Sequence, residues 1–384
     1  DAIPLDPVAL TRALIRRPSV TPADEGAMDV IQGALEGLGF ACRRMASGGI
    51  ENLYARRGMA RPNLCFAGHT DVVPPGEVGA WTHPPFAAAV EEGVLYGRGA
   101  VDMKSAIAAF VAAVAGVVCE GEPSGSISLL IAGDEDGLAE HGTKAVVAAL
   151  AAEGEAIDHC IVGEPTSGSV LGDTIKIGRR GSLGAEITIE GTQGHVAYPH
   201  RAANPVSVLI ALLAKVQARV LDEGHEAFQP SNLEITTVDV GNPAGNVIPA
   251  RATARLNIRF NPAHTGEGLA AWLEAEARAA GEGFSGQVTL IPRIGGEPFL
   301  TAPSPFTALV AGAVKAVTGV EPALSTTGGT SDARFIRALC PVAEFGLVGA
   351  TIHAVDERAP VTQIRTLAAI YARLIEDYFT TFSS

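Results

Sequence analysis

Three apolar runs end on glycine and are followed by a histidine or a carboxylate. Leu64-Cys65-Phe66-Ala67 leads into Gly68-His69, "SISLLIAG" at 126–133 leads into Asp134, and "HCIVG" at 159–163 leads into Glu164. Apolar runs of this length without polar alternation read as strands buried on both faces. Helix-length stretches separate them, among them "MKSAIAAFVAAVAGVV" after Asp102 and one near 141–152. A chain patterned this way must lay helices on both faces of a sheet, which is an α/β domain. Asp6-Pro7 reads as the N-cap and first residue of an opening helix, "VALTRALIRR", and a second helix runs from near Gly26 to Leu38 and stops at Gly39.

After Gly181 the pattern changes. "SLGAEITIEG" reads as a strand, Asn204-Pro205 opens a helix, "LEITTVDVG" and "ATARLNIRF" are strands, "GEGLAAWLEAEARAA" is a helix, and "QVTLIPR" is a strand. That order, β-α-β-β-α-β, is the plan of a ferredoxin-like sheet. A helix at 304–318, a strand at 341–346 and a long helix at 361–380 then resume the first pattern. The predicted architecture is a discontinuous domain, 1–181 and 294–384, with a mixed sheet flanked by helices. A second domain, 182–293, is inserted into it.

The length of 384 residues suits two domains, and the apolar fraction of 47% supplies their cores. A net charge of −14 repels phosphate backbones, so no nucleic-acid partner is expected, and an anionic ligand must be gathered by local arginine or lysine. Five scattered cysteines without a CxxC pair predict reduced thiols and a cytoplasmic setting, with Cys65 and Cys160 in the core. No stretch is apolar enough to span a membrane, and "DAIPLDP" lacks the basic start and apolar centre of a secretory leader.

His69 and Asp71 lie two apart at a strand end, so their side chains are expected to share a face. By itself such a pair is commonly a solvated strand end. Asp102, at the mouth of a helix, has the ordinary reading of an N-cap. Asp134-Glu135-Asp136 repel one another unless solvent or a cation screens them. Glu164 in "GEPT" has a surface turn as its plain reading, and His353 in "GATIHAVDE" a structural role. Taken together, His69, Asp102, Asp136, Glu164 and His353 mostly follow glycine-flanked strand ends of one α/β domain, where ligands bind in such sheets. Two histidines and three carboxylates suit zinc. Five ligands exceed one tetrahedral ion and fit two if a carboxylate bridges them.

The segments "GHTDVVPPG", "GRGAVDMK", "GDEDG", "VGEPT" and "ATIHAVDE" resemble, in order and spacing over nearly the whole chain, those of the co-catalytic zinc aminoacylase and carboxypeptidase family of metallopeptidases. "RRGSL", "GTQGHVAYPHRAANP", "SNLEITTVDVG", "NVIPA", "NIRF" and "GGTSDARFI" are similar to its bacterial desuccinylase branch. The resemblance implies two zinc ions per subunit, replaceable by cobalt. His69 and Glu164 would bind one, Asp136 and His353 the other, and Asp102 would bridge them. Glu135 would be general base and acid for a water activated by the two ions. Asp71 would hydrogen-bond the far nitrogen of His69 and fix its tautomer. His195, from the inserted domain, would steady the oxyanion across a dimer. Arg179 and Arg259 would bind substrate carboxylates, and Ser182, Tyr198, Asn246, Gly329 and Thr330 would line the acyl pocket. Lys104, in the first turn of its helix, is expected to be solvated or paired.

The implied reaction is hydrolysis of N-succinyl-LL-2,6-diaminopimelate to succinate and LL-2,6-diaminopimelate, by a homodimer joined through the inserted domain. Two alternatives stand beside it. One is another N-acyl amino-acid deacylase, such as an acetylornithine deacetylase, or a carboxypeptidase of the same family. The other is a non-catalytic protein that binds amino acids or peptides on the same fold. The chain departs from the desuccinylase pattern at Asp136, where glutamate is usual, at Gly245 and Gly349, where polar residues are usual, and in "HAVDE" for "HKVNE".

Overall fold

The computed structural model describes residues 5–383; the first four residues of the stretch screened above for a leader lie outside them. The chain divides into two compact units. One holds Asp1–Ile177, Thr301–Ser325 and Ser331–Ser384, the other Gly178–Leu300 and Thr326–Thr330.

The first unit is built on an eight-stranded mixed sheet. Its order is Ala41–Arg44, Leu53–Arg57, Ser126–Ala132, Asn63–His69, His159–Val162, Val342–Glu344, Thr174–Lys176, Ala323–Ser325. Every residue of Asn63–His69 and Ser126–Ala132 is buried, as strands covered on both faces must be. Lys104–Glu120 and Val361–Phe382 are among the helices that cover it, with Phe66 of the sheet stacked on Phe110 at 4.4 Å and edge-on to Tyr371 at 5.7 Å. The opening helix is Pro7–Ile15, and the Asp6 carboxylate accepts the amides of Val8 and Ala9 as its cap. The two antiparallel strands Ala41–Arg44 and Leu53–Arg57 escape sequence reading because they are short and carry arginines in place of an apolar run.

The second unit carries a four-stranded antiparallel sheet in the order Asn232–Asp239, Arg251–Phe260, Gly181–Glu190, Gln287–Gly296. Helices Pro205–Gln217 and Gly266–Gly281 follow the first and third strands in sequence, completing β-α-β-β-α-β. Alternation sends Leu183, Ala185, Ile187 and Ile189 into a core with Leu209, Leu213 and Leu273 from the helices. This unit reaches beyond 182–293 because Gly178–Arg179 pairs with Phe299–Leu300 and closes its stem. Among the described residues, no helix is long and apolar enough to cross a membrane.

Candidate active site

Three parallel strands place the groups of interest. Asn63–His69 lies between Ser126–Ala132 and His159–Val162, with His69 opposite Ala132 and Ala67 opposite Val162. Their carboxyl ends therefore sit side by side and present His69, the 134–136 turn and Glu164 at one edge. Gly68 and Gly163 let the segment after Asp102 approach that edge. A Cβ on Gly68 would lie 2.5 Å from Met103 Cε, and one on Gly163 would lie 2.5 Å from Phe66 and 2.7 Å from Met103.

The structure brings together all five residues of the predicted ligand set. Asp102 is central: its Oδ1 lies 3.2 Å from His69 Nε2 and its Oδ2 lies 3.3 Å from His353 Nε2. His353 Nε2 is also 3.4 Å from Asp136 Oδ1, and His69 Nε2 is 3.8 Å from Glu164 Oε1. Glu164 Oε1 is buried without a hydrogen-bond partner. Donor atoms of His69, Asp102 and Glu164 all lie within 4.8 Å of one another. Glu135 Oε2 is 3.9 Å from His69 Nε2.

The predicted link between Asp71 and His69 takes a different form. His69 Nδ1 donates to the backbone carbonyl of Asp71 at 2.9 Å, while the Asp71 carboxylate is 3.6 Å away. That carboxylate instead accepts the backbone amides of Glu135 (3.1 Å) and Asp136 (3.0 Å). Two fixed N–H donors outcompete the ring for its oxygens. A carbonyl only accepts, so Nδ1 carries a proton whatever the charge on the ring, and Nε2 is the nitrogen that faces Asp102.

The acidic triplet also divides. Asp134 turns away to accept the amides of Leu138, Glu140 and His141, and so closes its own loop. Asp136 Oδ2 accepts the Val73 amide at 3.0 Å. Asp102 does not cap the helix that follows it; Met103 holds that position without a side-chain bond. Lys104 is not solvated. Its fully buried ammonium donates to the carbonyls of Leu14, Arg17 and Pro18 at the end of the first helix.

The charges are strongly coupled. Burial disfavours a charged His69, yet its hydrogen bond to Asp102 and the nearby carboxylates of Asp71 and Glu135 outweigh that and hold its pKa well above the ordinary value. Hydrogen bonds to Asp102 and Asp136 raise His353 to about 10. Burial opposes ionisation of Asp102, but the bonds from both histidines prevail and hold it well below the usual carboxylate range. Burial pushes Glu135 up to about 8, against the pull of His69 and with help from Asp332, Asp102 and Asp136. Burial also raises Glu164 well above its usual range, reinforced by Asp102 and Glu135. Protonated imidazoles thus occupy the place of cations among clustered carboxylates.

The remaining candidates lie in the second unit. Arg179 and Ser182 are buried on the stem and first strand of its sheet, and Arg259, opposite Ser182, is half-buried. His195, Tyr198, Asn246 and Gly329 are exposed, and Thr330 is half-exposed. Val196 N–H donates to the carbonyl of Asn246 at 3.2 Å, and His195 pairs with Val247, so the segments carrying His195 and Asn246 are neighbours. At Gly245 a Cβ would meet open space. At Gly349 it would lie 2.8 Å from Ile352 Cδ1 and 3.2 Å from the Pro165 carbonyl beside Glu164, so a side chain there requires Ile352 to turn and the carbonyl to give slightly.

Two residues that carry the site were not singled out from the sequence. Arg98 and Glu357 form a buried ion pair whose bonds reach the backbones of Asp102 and His353. Both stand inside quoted segments, "GRGAVDMK" and "ATIHAVDE", yet charge type alone does not reveal burial.

Residues 65–377 match the model of peptidase family M20/M25/M40. A succinyl-diaminopimelate desuccinylase of Phenylobacterium zucineum is 68% identical over 98% of this chain and 99% of its own. Among solved structures, an M20 family metallo-carboxypeptidase of Sulfolobus solfataricus superposes with a TM-score of 0.84 at 18% identity, covering 98% of this chain and 99% of that one. A Bacillus subtilis protein described as a dinuclear metal binding peptidase of the M20 family gives 0.71 at 17% identity, covering 98% of each chain. Site segments, fold and full-length similarity converge, and the chain belongs to peptidase family M20/M25/M40.

Proposed function

We propose that this chain is a metal-dependent amidohydrolase that cleaves the succinyl amide of N-succinyl-LL-2,6-diaminopimelate, releasing succinate and LL-2,6-diaminopimelate. The observation that carries the chemistry is Asp102, whose two oxygens face two different imidazoles while further carboxylates stand behind each. The full-length identity to a desuccinylase supports the choice of substrate.

The residues fit a pair of divalent ions. Imidazole nitrogen and carboxylate oxygen are donors that zinc accepts, and cobalt shares them. Glu164 Oε1, buried without a partner, is a costly arrangement that a cation relieves. His69 and Glu164 would hold one ion, Asp136 and His353 the other, with Asp102 between. Bound there, the ions would supply Lewis acidity, making water more acidic and polarising the scissile carbonyl.

The chain's own groups do the rest. Glu135 takes a proton from the attacking water and returns it to the leaving amine, and the burial that raises its carboxyl makes it the readier donor in the second step. Asp71 holds the amides of Glu135 and Asp136, and so aims base and ligand from one point. Arg179 and Arg259 bind the substrate carboxylates, His195 steadies the oxyanion, and Ser182, Tyr198, Asn246, Gly329 and Thr330 surround the acyl group. The enzyme works as a homodimer joined through the second unit, in a reducing cytoplasm suited to its five free thiols.

Elemental analysis beside a substrate panel tests the reading. Two zinc or cobalt ions per chain and preferred turnover of the succinyl substrate are expected. Faster turnover of N-acetylornithine would move the assignment to another deacylase, and hydrolysis that survives complete metal removal would end it.

A further inference from the structure

Arg98 and Glu357 meet inside the first unit, Nη1 to Oε2 at 2.6 Å, with side chains 2% and 0% exposed. Neither belongs to the proposed ligand set. A buried ion pair is a poor device for stability alone, since desolvating both groups offsets much of their attraction. What the pair holds is therefore informative. Glu357 Oε1 accepts the backbone amides of Val101 (2.8 Å) and Asp102 (3.1 Å), and Oε2 accepts that of Gly99 (3.2 Å). Arg98 Nη2 donates to the carbonyl of His353 at 3.2 Å and to that of Pro74 at 3.5 Å. The Trp81 ring lies against the guanidinium at 5.3 Å, and Trp81 Nε1 is itself fixed by the Pro75 carbonyl at 2.9 Å.

The loop that carries His353 needs such a restraint. His353 and Asp356 both adopt φ of +58°, left-handed backbone that non-glycine residues hold only where their surroundings impose it. Asp356 is tied by the amide and hydroxyl of Thr82, both at 2.7 Å. His353 itself is tied through its carbonyl to Arg98. By contrast, His69 ends a strand paired on both sides, and Glu164 follows another strand of the same sheet. These two owe their placement to the sheet ladder, not to the ion pair.

We propose that Arg98 and Glu357 are positioning residues that set the backbones of Asp102 and His353 as one piece. The ion held by His353 and Asp136 then depends on this pair far more than the ion held by His69 and Glu164. The proposal rests on the two-ion reading given above and deepens it by making the two subsites unequal.

The test is titration of the metal-free protein with Zn²⁺ by calorimetry and with Co²⁺ by visible absorption. Wild type is compared with Glu357→Gln and with the double variant Arg98→Met, Glu357→Leu. The double variant removes both charges together, so that neither is left buried and unpaired, while Glu357→Gln keeps an oxygen for the backbone amides; circular dichroism establishes that each variant is folded. Expected is a second ion bound about 10–100-fold more weakly, the usual cost of losing a group that orients a ligand, and a first ion weakened far less, since of its ligands only the shared Asp102 is held by the pair. The absorption band of the second Co²⁺ should change as well. Equal weakening of both ions, or unchanged binding of both in the folded double variant, overturns the proposal while leaving the two-ion reading in place. Wild-type protein that takes up fewer than two ions overturns both.

Discussion

In the first unit the groups assigned to chemistry, the half-exposed His353 apart, are buried or nearly so and tied from several sides; in the second, Tyr198, Asn246 and Gly329 stand exposed beside the buried Arg179 and Ser182. His69, Asp71 and Asp102 are 1%, 1% and 8% exposed, and each is held by bonds to the others or to backbone. Tyr198 is 51% exposed, and the exposed His195 pairs with Val247 in a two-stranded ribbon that Asn246 adjoins. The contrast follows from what each set must do. Coordinating a cation requires donors held in place before it arrives, which burial and paired strands supply. Gripping a flexible acyl chain tolerates adjustable side chains on loops.

Substitutions can break this contrast. The largest effect is expected for Glu135→Gln, which should lower kcat by about 10²–10⁴-fold, the usual contribution of a general base. Metal content should not change, because Asp71 holds the 135 amide whatever the side chain. Steady-state kinetics beside elemental analysis reads both, and metal lost with activity would make Glu135 a ligand. In the second unit, Arg259→Ala should raise KM by about 10–100-fold, the equivalent of a charged hydrogen bond worth about 1.5–3 kcal/mol. Metal affinity should stay at the wild-type level. If metal affinity falls with it, the division of labour between the units is wrong.

A smaller, graded effect is expected with pH. In the metal-free protein His353 keeps its proton to about pH 10, and His69 titrates well above its ordinary range. An incoming ion must displace these protons, so binding tightens as pH rises, by about tenfold per unit for each proton released. Calorimetry in buffers of different ionisation enthalpy counts the protons; no release at neutral pH would contradict the coupled histidine–carboxylate geometry. The same raised pKa stabilises the metal-free fold fully below the unfolded value of about 6.5, and that contribution is lost as pH passes through about 10.

Much of this was legible in the residue order. Uninterrupted apolar strands imply a sheet covered on both faces, and the glycines after them place His69 and Glu164 at its edge. The switch to alternating strands marks the second sheet. Other features were not legible, because they depend on which oxygen meets which N–H. The residues Asp71, Asp134 and Asp136 are one type in one short vocabulary. Yet one holds two amides, one closes a loop, and one faces an imidazole. Lys104 read as solvated or paired, and proved to be buried with its ammonium on three carbonyls.

The sequence by itself determined the long helices and the apolar strands, the layered character of the first unit and the identity of the groups gathered at its sheet edge, because periodicity and side-chain chemistry are local properties. Only the tertiary structure decided that Asp71 acts on His69 through its carbonyl, and that Arg98 and Glu357 span 259 positions to lock two loops together. Hydrogen bonds are short-ranged and directional, so their partners are chosen only once packing has brought distant segments within reach.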